Sequence, residues 1–392
     1  MPIDHPLFLL VAVPWTLACV ALLGRMPSWR VGDSTRAANG IDGLRGFLAL
    51  GVVFHHAVAW GEFSRSGVWK SPASRLFDHL GGTNVNLFFM ITAFLFWNKA
   101  IDSRNRPFPW TRFLVGRVYR LYPLYLVACL LVFATVAIGS GFSLQTSFAT
   151  LATTTSRWLL FTIPGSPASL LDLNGWQATS QILATATWTL PYEWFFYAAL
   201  PLGALVFRAP PVLVLVTSLA TTTLIWIAHG HILLPQLLPF AAGIAVAHLT
   251  RHQALRRILQ HPMAGWGSLA LLLVACYRFP LPSGLAPQLC ASGFFLVIAS
   301  GNSLNGLLTS RPVVHLGEIS YGVYLLHGFL LFLAFGAIHP APLAAEFHWG
   351  VVLLILPLLL LATTWLHHRV ERPAILATPA ATQWLQDRFT RR

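Results

Sequence analysis

Apolar runs of about twenty residues recur along this chain from residue 7 to residue 368, and nothing else restricts its fold as tightly. Coiled at 1.5 Å per residue, a run of that length crosses the hydrocarbon of a bilayer. Backbone groups in hydrocarbon must find their hydrogen bonds internally, which a helix does within its own segment. The runs fall at 7–24, 42–60, 82–100, 113–139, 188–207, 211–229, 232–249, 264–280, 288–307, 317–338 and 349–368. The expected fold is therefore all-α, a polytopic transmembrane bundle of about eleven helices. Composition agrees. Only 9% of residues are charged, whereas a soluble domain carries about 25%.

The basic residues give the bundle a direction. Of the 25 lysines and arginines, all but five lie in one set of alternate joints, among them Arg25, Arg45, Lys99, Arg112, Arg117, Arg120, Arg251 and Arg372. The exceptions are Arg65, Lys70, Arg75, Arg157 and Arg278. The rule that cytoplasmic joints collect positive charge then places the N-terminus outside and the C-terminus in the cytoplasm of a cell inner membrane. The first run, Leu7 to Gly24, is preceded by Asp4 and His5 and by no Lys or Arg, so it reads as an uncleaved helix and not a signal peptide. The net charge of +13 forms no continuous patch or arm, which excludes a nucleic-acid partner. Cys19, Cys129, Cys276 and Cys290 stand singly in apolar segments, as small packed residues do. No HExxH or His/carboxylate cluster calls for a metal.

Two outer joints are long, Gly61 to Gly81 and Ser140 to Thr187, both rich in turn-forming residues. Within the second, Trp158 to Ile163 is too short to span and reads as an interfacial or re-entrant segment.

The second run holds Arg45 and His56, eleven residues apart. At 100° per residue that spacing is three turns plus about 20°, so both lie on one stripe, separated by about 16 Å along the axis. Arg45 is then at the cytoplasmic mouth and His56 deep in the membrane, where an ionisable group is costly and function is the default reading. The bland reading is a neutral histidine hydrogen-bonded to a neighbouring helix. His55 points about 100° away and reads as structural.

Six patterns in fixed order make the chain similar to the membrane acyltransferase-3 family. They are Arg45 and His56 as Arg-x10-His, Phe88-Phe-Met-Ile-Thr-Ala-Phe-Leu95, Arg117-Val-Tyr-Arg120, Trp188-Thr-Leu-Pro-Tyr-Glu193-Trp-Phe-Phe-Tyr197, Leu316 to His327 as L-G-x-I-S-Y-x-x-Y-L-x-H, and Glu371-Arg-Pro373. Two departures stand out: Thr92-Ala93 replaces the usual Ser-Gly, and the run at 7–24 is additional to the family's ten helices. The resemblance implies three parts: 1–40 as an extra N-terminal helix and cytoplasmic linker, 41–375 as the acyltransferase membrane domain, and 376–392 as a short cytoplasmic tail. It is to the stand-alone form, without an esterase-like C-terminal domain.

The resemblance implies an O-acyltransferase, most simply an O-acetyltransferase. Acetyl-CoA would be the donor, and the acceptor a hydroxyl of an extracytoplasmic or lipid-linked glycan such as an exopolysaccharide. Arg117 and Arg120, three residues apart at a helix start, suit the phosphates of coenzyme A, with Arg45 at the same depth. Arginines at such ends otherwise just anchor in headgroups. Glu193, expected near the outer end of its span, would orient His56 as general base. Asp42 would hold Arg45. Ser320, Tyr324 and His327 share one inward face at i, i+4 and i+7 and would line a tunnel for the pantetheine arm, or form a hydrogen-bonding seam between helices. The expected partners are acyl-CoA, the glycan, membrane lipids and the glycan-assembly machinery. The alternatives are a secondary transporter using intramembrane Arg, His and Glu, against which the lack of an internal repeat counts, and an inactive scaffold in a glycan-assembly complex.

Overall fold

The computed structural model describes residues 1–25, 40–103, 108–161, 172–206 and 234–390, and among these it is a helix bundle without named strands. The helices are α1 (Leu7–Leu23), α2 (Gly40–Ser66), α3 (Arg75–Asp102), α4 (Trp110–Gly139), α5 (Phe148–Leu159), α6 (Leu190–Val206) and α7 (Leu234–Leu249). They continue as α8 (Gln253–Leu259), α9 (Pro262–Arg278), α10 (Leu285–Ala299), α11 (Arg311–Glu318), α12 (Ser320–Phe332), α13 (Ala345–Leu366) and α14 (Arg372–Thr390). Among the described residues five helical stretches are long and apolar enough to cross a membrane, and α8 with α9, bent by 75°, make a sixth if counted as one span. The expected run at 211–229 and the linker at 26–39 lie outside the described residues.

The centre of the bundle is α2. It packs on α3, on α11 and on α12, while α3 packs on α7 and α10. The close approach of α2 to α11 and to the 3-10 turn before it, Leu307–Thr309, depends on glycine. A Cβ on Gly43 would stand 1.9 Å from the Leu308 carbonyl oxygen, and one on Gly317 would stand 1.9 Å from that of Asp42. Small residues allow this backbone approach, which replaces the hydrophobic drive that helices lack in lipid. Gly43→Val forces the two backbones apart, and overpacking of that kind costs about 1–3 kcal/mol. The expected result is a lower melting temperature in detergent for Gly43→Val, with Gly350→Val as the control, since nothing lies within 4 Å of a Cβ at Gly350.

The two long joints take definite structure. The loop placed at 61–81 shrinks to residues 67–74, because α2 runs on to Ser66 and α3 starts at Arg75. The glycines there cost the helices only about 1 kcal/mol each, and continuing α3 backwards buries Phe77 completely. The segment at 158–163 begins as the last turn of the amphipathic helix α5, with Trp158 buried and its carbonyl accepting from Tyr125 Oη at 2.5 Å; residues 162 and 163 lie outside the described chain.

A further stretch of the same joint enters the bundle: 179–189, two 3-10 turns, Thr179–Leu183 and Ala186–Thr189, packed against α12. Thr179, Leu183, Ala184 and Ala186 are 0–1% exposed. Its seat is Gly328, where a Cβ would come 2.2 Å from the Leu183 carbonyl carbon. Ala178, Ala184 and Thr185 all have φ near +50°, a conformation costing a non-glycine residue about 1–2 kcal/mol and held only where the surroundings over-determine it.

The expected run at 317–338 is divided at Ile319 into α11 and α12 and ends in a π-helical turn, Leu333–Ile338. A second π-helical turn, His367–Glu371, joins α13 to α14, and α14 lies along α4.

Candidate active site

Because α2, α3, α4, α6 and α12 converge, polar side chains far apart in sequence face one cavity of about 120 Å³. Among the residues singled out from the sequence, Arg45 from α2, Arg117 and Arg120 from α4, Glu193 from α6 and Tyr324 from α12 line it together. Thr92 and Phe96 of α3, Tyr197 of α6, and Ser320 and Tyr321 of α12 complete the polar and aromatic wall.

The three guanidinium groups are held differently. Arg120 is ion-paired with Glu371, which is 1% exposed and also accepts from His367 Nδ1 at 2.9 Å. The π-helical turn at 367–371 is what aims Glu371 inward, a common use of such turns at functional positions. Arg117 lies over the Phe96 ring, 4.6 Å from its centroid, and its buried Nε has no hydrogen-bond partner. Arg45 reaches Asp42 only at 4.0 Å, and Asp42 is half exposed, so that contact contributes little. Glu193 accepts from Tyr197 Oη at 2.7 Å and lies within electrostatic reach of Arg45 and Arg117. Three cations therefore face two carboxylates, the partly buried Glu193 and the buried Glu371, the second committed to Arg120. The surplus is positive on arginines that are only partly exposed, and an anion is the ligand that balances it. Ser320 Oγ, fully buried and on the cavity wall, has no hydrogen-bond partner.

At the far wall, Tyr324 Oη lies 3.0 Å from Thr189 Oγ1 and donates to the Ala186 carbonyl at 3.0 Å. The strained re-entrant stretch thus supplies the acceptor that closes the cavity. Beyond it, one turn further along α12 and about 4.5 Å along the axis, lies His327. Its Nε2 is 2.9 Å from His56 Nδ1, and its Nδ1 is 3.1 Å from the Val323 carbonyl oxygen. His327 is fully buried and His56 half-buried. Trp69, from the short joint at 67–74, lies parallel to the His56 ring with centroids 6.4 Å apart, and Trp60 and Phe63 pack on Trp69.

The site thus has two poles on α2, an arginine pole at Arg45 and a histidine pole at His56. Glu193 is placed by the sequence reading beside His56. The structure puts it in the arginine cavity instead, because the re-entrant stretch starts α6 inside the bundle and Glu193 falls in its first turn. The hydrogen-bond partner of His56 is His327. His55 donates from Nδ1 to the Phe77 carbonyl at 2.8 Å. His348 is buried against Phe335 and bonded to the Ala57 carbonyl at 2.9 Å. Sequence reasoning missed Glu371 as the partner of Arg120, although Glu371 stands in a quoted motif; its direction depends on a π-helical turn that no residue pattern announces. Among the described residues no group of three His, Cys, Asp or Glu side chains is placed to hold a metal ion.

A family model described as an acyltransferase domain, acyltransferase-3, matches residues 38–367. Acyltransferase MdmB of Streptomyces mycarofaciens is 26% identical over 332 residues, covering 73% of this chain and 77% of that protein. BcsY of Komagataeibacter xylinus, named as a membrane-bound transacylase, is 27% identical over 358 residues, covering 85% of this chain and 84% of its own. No solved structure matches the chain.

Proposed function

The chain belongs to this acyltransferase family, and from that premise we propose that it carries an acyl group, acetyl in the simplest case, from cytoplasmic acyl-CoA to a hydroxyl of an extracytoplasmic or lipid-linked glycan. The observation that carries this reading is the convergence of Arg45, Arg117 and Arg120 on one cavity with surplus positive charge. Guanidinium forks bind phosphate oxygens bidentately, and the diphosphate of coenzyme A supplies the missing anion. At about 120 Å³ the cavity is well below the roughly 300–1,000 Å³ of small-molecule pockets. It suits the diphosphate and the start of the pantetheine arm, with the nucleotide at the mouth and Ser320 Oγ offered to the arm.

The thioester then points at Tyr324 and, behind it, the histidine pole. His56 accepts the proton of the acceptor hydroxyl as the oxygen attacks the thioester carbonyl. The tetrahedral intermediate collapses with cleavage of the carbon–sulfur bond, and the departing thiolate takes up a proton to leave as CoA-SH. Trp69, parallel to the His56 ring and only partly buried, suits the apolar face of a sugar ring presenting that hydroxyl. In this reading Glu193 belongs to the donor end, where it holds Tyr197 and tempers the charge of Arg45 and Arg117.

The test uses purified protein with labelled acetyl-CoA and a glycan acceptor. Label is expected on the glycan, and CoA is expected to raise the melting temperature. Losing one charge-assisted contact costs about 1.5–3 kcal/mol, so Arg117→Ala is expected to raise KM for acetyl-CoA by about 10- to 100-fold. Uptake of a polar solute with no dependence on CoA, together with no thermal response to CoA, would overturn the proposal.

A further inference from the structure

The pairing of His327 with His56 decides which nitrogen of His56 is free to take a proton. A carbonyl oxygen only accepts, so the contact of His327 Nδ1 with the Val323 carbonyl at 3.1 Å puts the proton of a neutral His327 on Nδ1. Its Nε2 is then a lone pair. That lone pair faces His56 Nδ1 at 2.9 Å, and the contact is a bond only if His56 carries its proton on Nδ1. Both rings are therefore ordered from the backbone outward, and Nε2 is the basic nitrogen left on His56.

We infer that His327 is a positioning residue that fixes His56 in the tautomer with Nε2 unprotonated, so that Nε2 receives the proton of the acceptor hydroxyl. This rests on the acyl-transfer reading above. The step balances within the pair. Nε2 gains the hydroxyl proton, His56 becomes an imidazolium, and its Nδ1–H strengthens its bond to the neutral Nε2 of His327. The proton goes no further, because His327 Nδ1–H is already committed to a carbonyl that cannot release one in return. It stays on the pair until the thiolate leaves and takes it.

The other groups facing the pair fit this role. His55 meets the His56 ring edge-on at 4.7 Å, but its own Nδ1 is engaged by the Phe77 carbonyl. Tyr324, at 6.3 Å from the His327 ring, is engaged by Thr189 and Ala186. No carboxylate is bonded to either ring among the described residues, so the second histidine takes the place that a carboxylate holds in triads that orient a general base.

Two variants and one spectrum test this. His327→Gln keeps an oxygen able to accept from His56 Nδ1–H, and His327→Phe keeps bulk but offers no acceptor. A positioned general base contributes about 10²–10⁴-fold. His327→Phe is accordingly expected to lose about 100-fold in kcat with KM for acetyl-CoA changed by less than about threefold, and His327→Gln to recover to within about tenfold of the parent. Nitrogen-15 shifts of labelled His56 are expected to show Nδ1 protonated and Nε2 bare in the parent, and a mixture of tautomers in His327→Phe. Protonation of Nε2 in the parent overturns the inference, whether or not the variants fold, and so does equal activity of the two variants. Full transfer by His56→Ala would instead overturn the acyl-transfer role of His56 itself.

Discussion

His56→Ala is expected to bring acyl transfer close to background, a loss of about 10³-fold in kcat, while CoA still stabilises the purified protein. The size follows from removing a positioned general base where no second group stands ready. His55, its neighbour in sequence, is turned aside onto the Phe77 carbonyl. His327 has its Nδ1 committed to Val323 and lies fully buried, so it cannot step forward. The donor end is unaffected because it lies elsewhere on the same helix: Arg45 is eleven residues away, about 16 Å along the axis, and lines a cavity that His56 does not. The measurement is turnover of labelled acetyl-CoA beside a melting curve with and without CoA. Loss of both together would mean a folding defect and would leave the two-pole description without support, whereas turnover within tenfold of the parent would remove His56 from the chemistry.

That division into two poles was legible where it depends on helical geometry alone. Arg45 and His56 follow from a spacing of eleven, and Arg117 and Arg120 from a spacing of three; such relations survive any packing. The inward stripe of Ser320, Tyr324 and His327 was legible for the same reason, and all three are buried. Depth was not legible where it depends on how a loop folds back. Glu193 was assigned by counting from the outer loop, and the count fails because 179–189 turns into the bundle before α6 begins. Its left-handed residues are Ala178, Ala184 and Thr185, types that do not announce that conformation as Gly or Asn would. The partner of His56 was hidden for a related reason. Residues 56 and 327 meet only through the α2–α12 packing, and a histidine offers no sign in sequence of whether it meets a carboxylate or another imidazole.

The ion pair of Arg120 with Glu371 separates stability from donor binding in a way that sequence could not. Breaking a buried pair by removing one partner costs about 3–5 kcal/mol, whereas replacing both by apolar residues of similar volume is often neutral or better. Glu371→Ala is thus expected to lower the melting temperature strongly, since Arg120, with 19% of its side chain exposed, would share a small cavity with Arg45 and Arg117 with one fewer carboxylate among them. His367 loses its own partner in the same change. Arg120→Met with Glu371→Leu is expected to recover most of that stability, because no buried charge is left without a counterpart. It is not expected to recover donor affinity: one of the three guanidinium groups lining the cavity is gone, and on the proposed reading KM for acetyl-CoA should stay raised by about tenfold or more, the effect of one lost charge-assisted contact. The two readouts therefore part company in the double variant. A double variant that is stable and binds CoA like the parent would make Arg120 a strut for α14 against α4 and leave the phosphates to Arg45 and Arg117. One that is stable and binds poorly would make Glu371 the residue that keeps a ligand-binding arginine folded inward, which is what the π-helical turn at His367–Glu371 positions it to do.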